Sequence, residues 1–273
     1  MLKAVCDSSF IGPVLYVRHA QTTYNTFSEE IKQSKLIRLE EKYLDCKLSD
    51  EGRLQAENFF HKIKDFDIKY CFTSPLVRCL ETSFLALNSH KNANDIEVIV
   101  HPLLNEIISS TQTITKPIKT KKEKFNINSQ IKYNWNIFDT YYQTEQEQNH
   151  YYFNFVDNQI VDSQRDLIRQ IKENPEEGQI GRFLGAFWQH GSRPETFNHL
   201  LGRTIAFKKF LTEFIKENGL KENEKIVIFT HLGFIRMSTS DSSSLFDIIT
   251  EFPNDGFCPR NCEGISFILE EEF

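Results

Sequence analysis

Short apolar runs alternate with segments of helical period along most of the chain. Val14 to Val17 is a continuous apolar run behind Gly12-Pro13, the mark of a buried strand. Lys69 to Thr73, Glu97 to Val100 and Glu224 to Thr230 read as strands in the same way, and a last strand covers Ile265 to Leu269. Helical patterns fill the intervals. Ser28-Glu29-Glu30 is a helix start leading to Ile31, Leu36 and Leu39. Ser49 caps a second helix whose buried stripe is Leu54, Phe59 and Ile63, broadened by Ala56 and Phe60. Ser74 as cap and Pro75 at the first helical position open a third, which carries Arg78. A long helix runs from Pro194-Glu195-Thr196-Phe197 to Asn218-Gly219, with Phe197, Leu200, Leu201, Ile205, Phe207, Leu211, Phe214 and Ile215 on its apolar face. A short helix containing Ile235 follows, then a loop rich in Ser and Asp. Alternation of strand and helix implies right-handed crossovers and an α/β three-layer sandwich, a mainly parallel sheet with helices on both faces.

The pattern breaks between Ile107 and Arg193. Lys116 to Lys124 reads as a basic mobile loop or solvated face. Beyond it lie Tyr133, Trp135, Phe138, Tyr141, Tyr142, Tyr151, Tyr152 and Phe153, too aromatic for disorder. The expectation is one domain over residues 1–273 with a compact insertion at 107–193, either a cap over the active rim or a partner-binding surface. A helix from Ser163 to Glu173, stopped at Asn174-Pro175, falls within it.

Composition narrows the class. With 40% apolar and 26% charged residues in 273, the chain is of ordinary globular make-up, and its net charge of -6 argues against a nucleic-acid binder. It has no apolar run near the roughly 18 residues that span a bilayer and no leader pattern, so a cytoplasmic protein without a membrane span is expected. Six cysteines are too sparse for a disulfide scaffold, and Cys258-Pro-Arg-Asn-Cys262 has nearly the spacing of half a zinc site but no second pair and no close His, so no metal is expected.

The chemistry lies at the strand ends. Arg18 and His19 end the first strand, His231 ends a later one, Arg78 sits one turn into its helix, and Glu106 follows the strand at 97–100. Parallel strands would deliver all of them to one rim, where open α/β sheets bind ligands. A fixed cation beside an imidazole suits phosphate chemistry. Taken singly, each also has a plain structural reading: a polar strand cap for the histidines, a surface ion pair for Arg78.

Together these residues make the chain resemble the histidine phosphatase superfamily, the phosphoglycerate mutase-like proteins. The resemblance rests on Arg18-His19-Ala20 with Thr22 and Asn25, Leu48-Ser49 with Gly52 and Gln55-Ala56, Ser74-Pro75-Leu76-Val77-Arg78 with Thr82, Leu104-Asn105-Glu106, Ile226 to His231, and Asn261 with Ile265. It implies that His19 becomes a phosphohistidine, that Arg18, Asn25, Arg78 and His231 surround the phosphoryl oxygens, and that Glu106 donates and then accepts a proton. His231 thereby joins His19 and Glu106 as a catalytic residue. Neither metal nor cofactor is implied, and the substrate would be a phosphorylated small molecule or a phosphoprotein. Glu106 is not followed by the Arg-His-Tyr-Gly run of the mutases, which implies hydrolysis. Ala20 and Leu232 stand where the family has glycine, and Gln21 where many members have Glu. If either former position needs positive φ, the loop is strained. Those departures and the insertion carry the competing reading: an inactive fold retained as an interaction subunit. The lysines at 116–124 suggest a polyanionic substrate.

Overall fold

A computed structural model describes residues 2–5, 12–31, 37–126, 130–156, 160–189, 191–240, 252 and 256–269. Its strands are β1 (Leu2–Val5), β2 (Val14–Arg18), β3 (Asp67–Thr73), β4 (Glu97–Val100), β5 (Lys132–Asn134), β6 (Glu224–Thr230) and β7 (Gly264–Leu269). They form one sheet in the order β1-β7-β2-β6-β3-β4-β5. From β2 to β5 every neighbouring pair is parallel, while β7 runs antiparallel to both β2 and β1. Arg18 pairs with Thr230, and Phe229 with Thr73, so the carboxyl ends of the central strands are level.

Period-two alternation divides these strands between two cores. Leu15, Val17, Cys71, Val98, Val227 and Phe229 face one side, covered by α2 (Asp50–Ile63) and α3 (Val77–Leu87), which follow the short α1 (Thr23–Ile31). Residues 107–193 contribute α4 (Ile118–Asn126), α5 (Asn136–Tyr141), α6 (Glu145–Asn149), α7 (Asp162–Glu173) and α8 (Gln179–Trp188). Ile114, Phe138, Tyr151 and Phe183 of this stretch share a single core with Val17 and Phe229, and β5 extends the sheet. Val14, Tyr16, Phe72, Ile226 and Ile228 face the other side, against α9 (Phe197–Asn218) and α10 (Leu232–Thr239). The result is the three-layer α/β sandwich with a mainly parallel sheet. No helix among the described residues is long and apolar enough to cross a membrane.

Several local expectations are corrected. The first helix starts at Thr23, because the Thr22 hydroxyl accepts the Asn25 N–H at 3.1 Å and caps it before Ser28 is reached. Leu54 is 55% exposed, since α2 turns Ala56, Phe59 and Ile63 inward and leaves Leu54 on the opposite face. Ile205 of α9 likewise faces outward. The third helix begins at Val77 rather than at Pro75, and its cap comes from elsewhere: Asp45 Oδ1 accepts the Val77 N–H at 2.8 Å. The basic stretch is helix α4, not a loop. Its Lys121 is buried against Asp45, Lys122 pairs with Asp139 and Lys124 with Glu81. Lys121 is thereby withdrawn from solvent, while Lys116 and Lys119 of the stretch stay exposed. Leu36 and the Ser- and Asp-rich loop, at 241–250, lie outside the described residues.

Candidate functional site

Backbone ladders continue one residue past the strands. His19 N–H donates to Thr230 O at 2.9 Å, Ser74 N–H to Phe229 O at 3.0 Å, and His101 N–H to Thr73 O at 2.9 Å. This register brings the His19 and His231 rings to a centroid distance of 5.2 Å. His19 Nδ1 is 2.8 Å from the carbonyl oxygen of Ala20. A carbonyl only accepts, so Nδ1 carries the proton and Nε2 keeps the lone pair. Ala20 N–H donates to Thr82 Oγ1 at 3.0 Å, and that hydroxyl donates to Arg78 O at 2.7 Å. The loop holding the imidazole is thereby tied to the helix that carries Arg78.

Arg78 is buried and Arg18 partly so, both with capacity to spare. Arg18 Nη1 donates to Pro259 O at 3.0 Å and Arg78 Nη1 to Gln112 O at 2.7 Å. The Nε of each is buried and has no partner among the described residues. Asn25 Oδ1 accepts from the Thr22 N–H at 3.0 Å and from its hydroxyl at 2.8 Å, which turns the amide so that Nδ2 is its donor edge. Glu106 is held at both oxygens: Ile107 N–H donates to Oε1 at 3.0 Å and Gly233 N–H to Oε2 at 3.4 Å. A Cβ on Gly233 would stand 2.4 Å from Oε1, so the approach depends on glycine. His231 precedes α10, with Nε2 hydrogen-bonded to Ser74 Oγ at 2.8 Å and 3.5 Å from Cys79 Sγ.

Burial, more than any single charge, sets the protonation of the two imidazoles. It holds His19 well below the ordinary imidazole range, and the positive charges of Arg78 and Arg18 push the same way. His231 is lowered well below that range first by burial and then by Arg78. Burial also lowers Arg18, opposed by the Glu106 carboxylate. Both imidazoles are therefore neutral near pH 7.

The structure thus groups Arg18, His19, Arg78, Glu106 and His231 at one rim, as their positions in the sequence imply. His19 is 5% exposed, and Arg78 and His231 less. An adjoining cleft of about 550 Å³ is reached by Arg18 and Asn25 and bounded by Gln55, Lys62, Arg260, Asn261 and Glu263, whereas His19, Arg78, Glu106 and His231 lie off it. The family departures carry no backbone strain: among the described residues only Asp45 and Cys262 are non-glycine residues with positive φ. Gln21 points away, its Oε1 accepting from the Ser49 hydroxyl at 2.8 Å. Ser74 and Cys79, neither of which the motif-level site includes, both touch His231. The signal for both is their place beside Arg78, at the level strand ends. Among the described residues no group of three or more His, Cys, Asp or Glu side chains is disposed to hold a metal ion.

A mainly parallel sheet thus carries a buried histidine and two under-satisfied arginines at its carboxyl edge. Residues 14–134 match the family model of the histidine phosphatase superfamily (branch 1). The match includes Arg18, His19, Arg78 and Glu106 and ends before His231. Fructose-2,6-bisphosphatase TIGAR B of Danio rerio is 33% identical over 90 residues, which are 33% of this chain and 32% of that protein. The chain therefore spans about a third of the length of the curated relative it matches. Among solved structures, the ecdysone phosphate phosphatase of Bombix mori has a TM-score of 0.47 at 14% identity, covering 94% of this chain and 92% of its own. The phosphoglycerate mutase of Bacillus anthracis has a TM-score of 0.46 at 13% identity, covering 95% and 91%.

Proposed function

We propose that the protein is a phosphomonoesterase that works through a phosphohistidine on His19. The observation that carries this reading is the pair of buried Arg18 and Arg78 Nε donors without partners beside an imidazole whose free lone pair is on Nε2. Buried donors left unpaired are costly, and a phosphoryl oxyanion satisfies them.

In the first step Nε2 attacks phosphorus, the bond from phosphorus to the ester oxygen breaks, and Glu106 gives that oxygen its proton. In the second, water attacks phosphorus, Glu106 takes a proton from the water, and the bond to Nε2 breaks to release inorganic phosphate. Arg18 and Arg78 neutralise the charge that spreads over the oxygens in a loose transition state, and His231 and the Nδ2 of Asn25 add hydrogen bonds to them. The route as written uses only side chains of this chain. Arg18 and Asn25 meet the substrate in the cleft and present its phosphate to His19.

The cleft sets Arg18, Lys62 and Arg260 against Glu263 among amide side chains, which suits a phosphorylated, hydroxyl-bearing small molecule. The name of the Danio rerio relative, a fructose-2,6-bisphosphatase, supports the same substrate class. Buried free thiols at Cys46, Cys71, Cys79 and Cys262 suit a reducing, cytoplasmic location. A second reading, an interaction subunit, draws on the burial of His19, Arg78 and His231. In it a partner would meet the polar exterior of 107–193, since most of that stretch's aromatics face the core.

The test is hydrolysis of 4-nitrophenyl phosphate by the wild-type protein and by His19→Ala with EDTA present, followed by trapping of acid-labile phosphate on the protein. Turnover and labelling that survive EDTA and vanish in the variant are expected. Absence of both from the wild-type protein would favour the interaction subunit.

A further inference from the structure

Glu106 lies in a segment with little regular structure of its own, between the single 3₁₀ turn Pro102–Leu104 and the chain beyond Ile107. What fixes it is a buried ion pair that the proposed route does not use. Arg203, in the second turn of α9, donates Nε to Glu195 Oε1 at 2.9 Å and Nη2 to Glu195 Oε2 at 3.1 Å. Its Nη1 donates to Leu103 O at 2.7 Å and Asn105 O at 2.6 Å. Glu195 Oε2 in turn accepts the Ile108 N–H at 2.8 Å. One pair therefore grips the backbone at 103, 105 and 108, on both sides of Glu106.

The Asn105 side chain completes the hold, its Nδ2 donating to Glu106 O at 3.0 Å and its Oδ1 accepting from the Tyr151 hydroxyl at 2.6 Å. Glu195 is fully buried and Arg203 nearly so. A buried ion pair is weak evidence for stability, because desolvation offsets most of the attraction. The planar guanidinium does what an apolar replacement could not: it fixes two carbonyls and a carboxylate in one rigid geometry. A carboxyl that must meet the ester oxygen within hydrogen-bond reach needs such a frame.

We propose that the Glu195–Arg203 pair positions Glu106 for protonation of the leaving group. This rests on the phosphomonoesterase reading, and its test separates the two. An alkoxide leaving group needs the proton, whereas a nitrophenolate barely does, and kcat/KM reports on the attack step for both. Arg203→Lys keeps the charge and loses the fork. It is expected to lower kcat/KM for glycerol 2-phosphate about tenfold or more while holding 4-nitrophenyl phosphate within about threefold, the pattern also expected of Glu106→Gln. Amide hydrogen exchange should quicken at 103–108 and stay unchanged in the strands. Where Arg203→Lys does not fold, Glu195→Gln takes its place with the same expectations.

Equal losses on both substrates, or none on either, overturn the proposal while leaving the phosphomonoesterase intact. If the wild-type protein turns over neither substrate, the phosphomonoesterase reading has failed. Exchange then decides the positional claim alone: quickening confined to 103–108 supports it, and unchanged exchange overturns it.

Discussion

His19 shows how one side chain acquires its chemistry from its surroundings. Its type and its position at a strand end are readable in the sequence. Its tautomer is not, because that depends on the Ala20 carbonyl lying 2.8 Å from Nδ1. Its protonation is also environmental. Burial, then Arg78 and Arg18, lower its pKa, so the neutral nucleophile persists as pH falls through 6.5, and protonation removes it only well below that value. After correction for the substrate's own ionisation, kcat/KM should show no His19 limb at pH 6.5. A limb at or above that pH would contradict the assignment. Gly233 makes the same point for geometry. Its lack of a Cβ lets the Glu106 carboxylate approach the backbone. Gly233→Ala should displace Oε1 and cost on the order of 100-fold in kcat, with far-UV dichroism unchanged. Retention of wild-type kcat would show that the carboxylate has room to move.

At the scale of elements, local signals fix several helix ends but neither the helices of 107–156 nor the partners that hold them. The bounds of β4 and the ends of α7 and α9 follow from residue patterns, because caps, prolines and glycines act within a few residues of themselves. The start of α3 and the nature of α4 do not follow, because both depend on Asp45, about 30 residues from one and 70 from the other. Asp45 sits in the left-handed region with φ 45° and is buried. Its Oδ1 caps Val77, and its Oδ2 accepts the Lys116 N–H at 2.9 Å and pairs with Lys121. Lys121 also donates to Pro75 O at 2.7 Å. A stretch that is basic and polar on paper thus becomes a helix pinned to the base of the Arg78 helix. Lys121→Met strands a buried carboxylate and should cost about 3–5 kcal/mol, read from the urea midpoint, with much of the loss restored by the double change Asp45→Asn and Lys121→Met. A single variant as stable as wild type would show that the pair contributes little.

At the scale of the whole molecule, residues 107–193 share a core with the central strands. Both tryptophans, Trp135 and Trp188, lie within that stretch, whereas most of the strands lie outside it. Fluorescence and far-UV dichroism should therefore report one coincident urea transition. Separate midpoints would mean that the stretch unfolds as its own unit. The alternation of strand and helix, the parallel sheet, and the delivery of Arg18, His19, Arg78, Glu106 and His231 to one rim were all legible from the order of residues along the chain. Periodicity and chain direction are local properties, and a parallel sheet carries every strand's carboxyl end to the same edge. Tertiary packing alone decided that most aromatics of 107–193 face inward and that Asp45 meets Lys121. It also decided that Glu195 and Arg203 hold the Glu106 segment, and that His19 and His231 are neutral. Each of these depends on burial or on partners tens to a hundred residues apart, and a side chain's desolvation and hydrogen bonds exist only once the chain has closed around it.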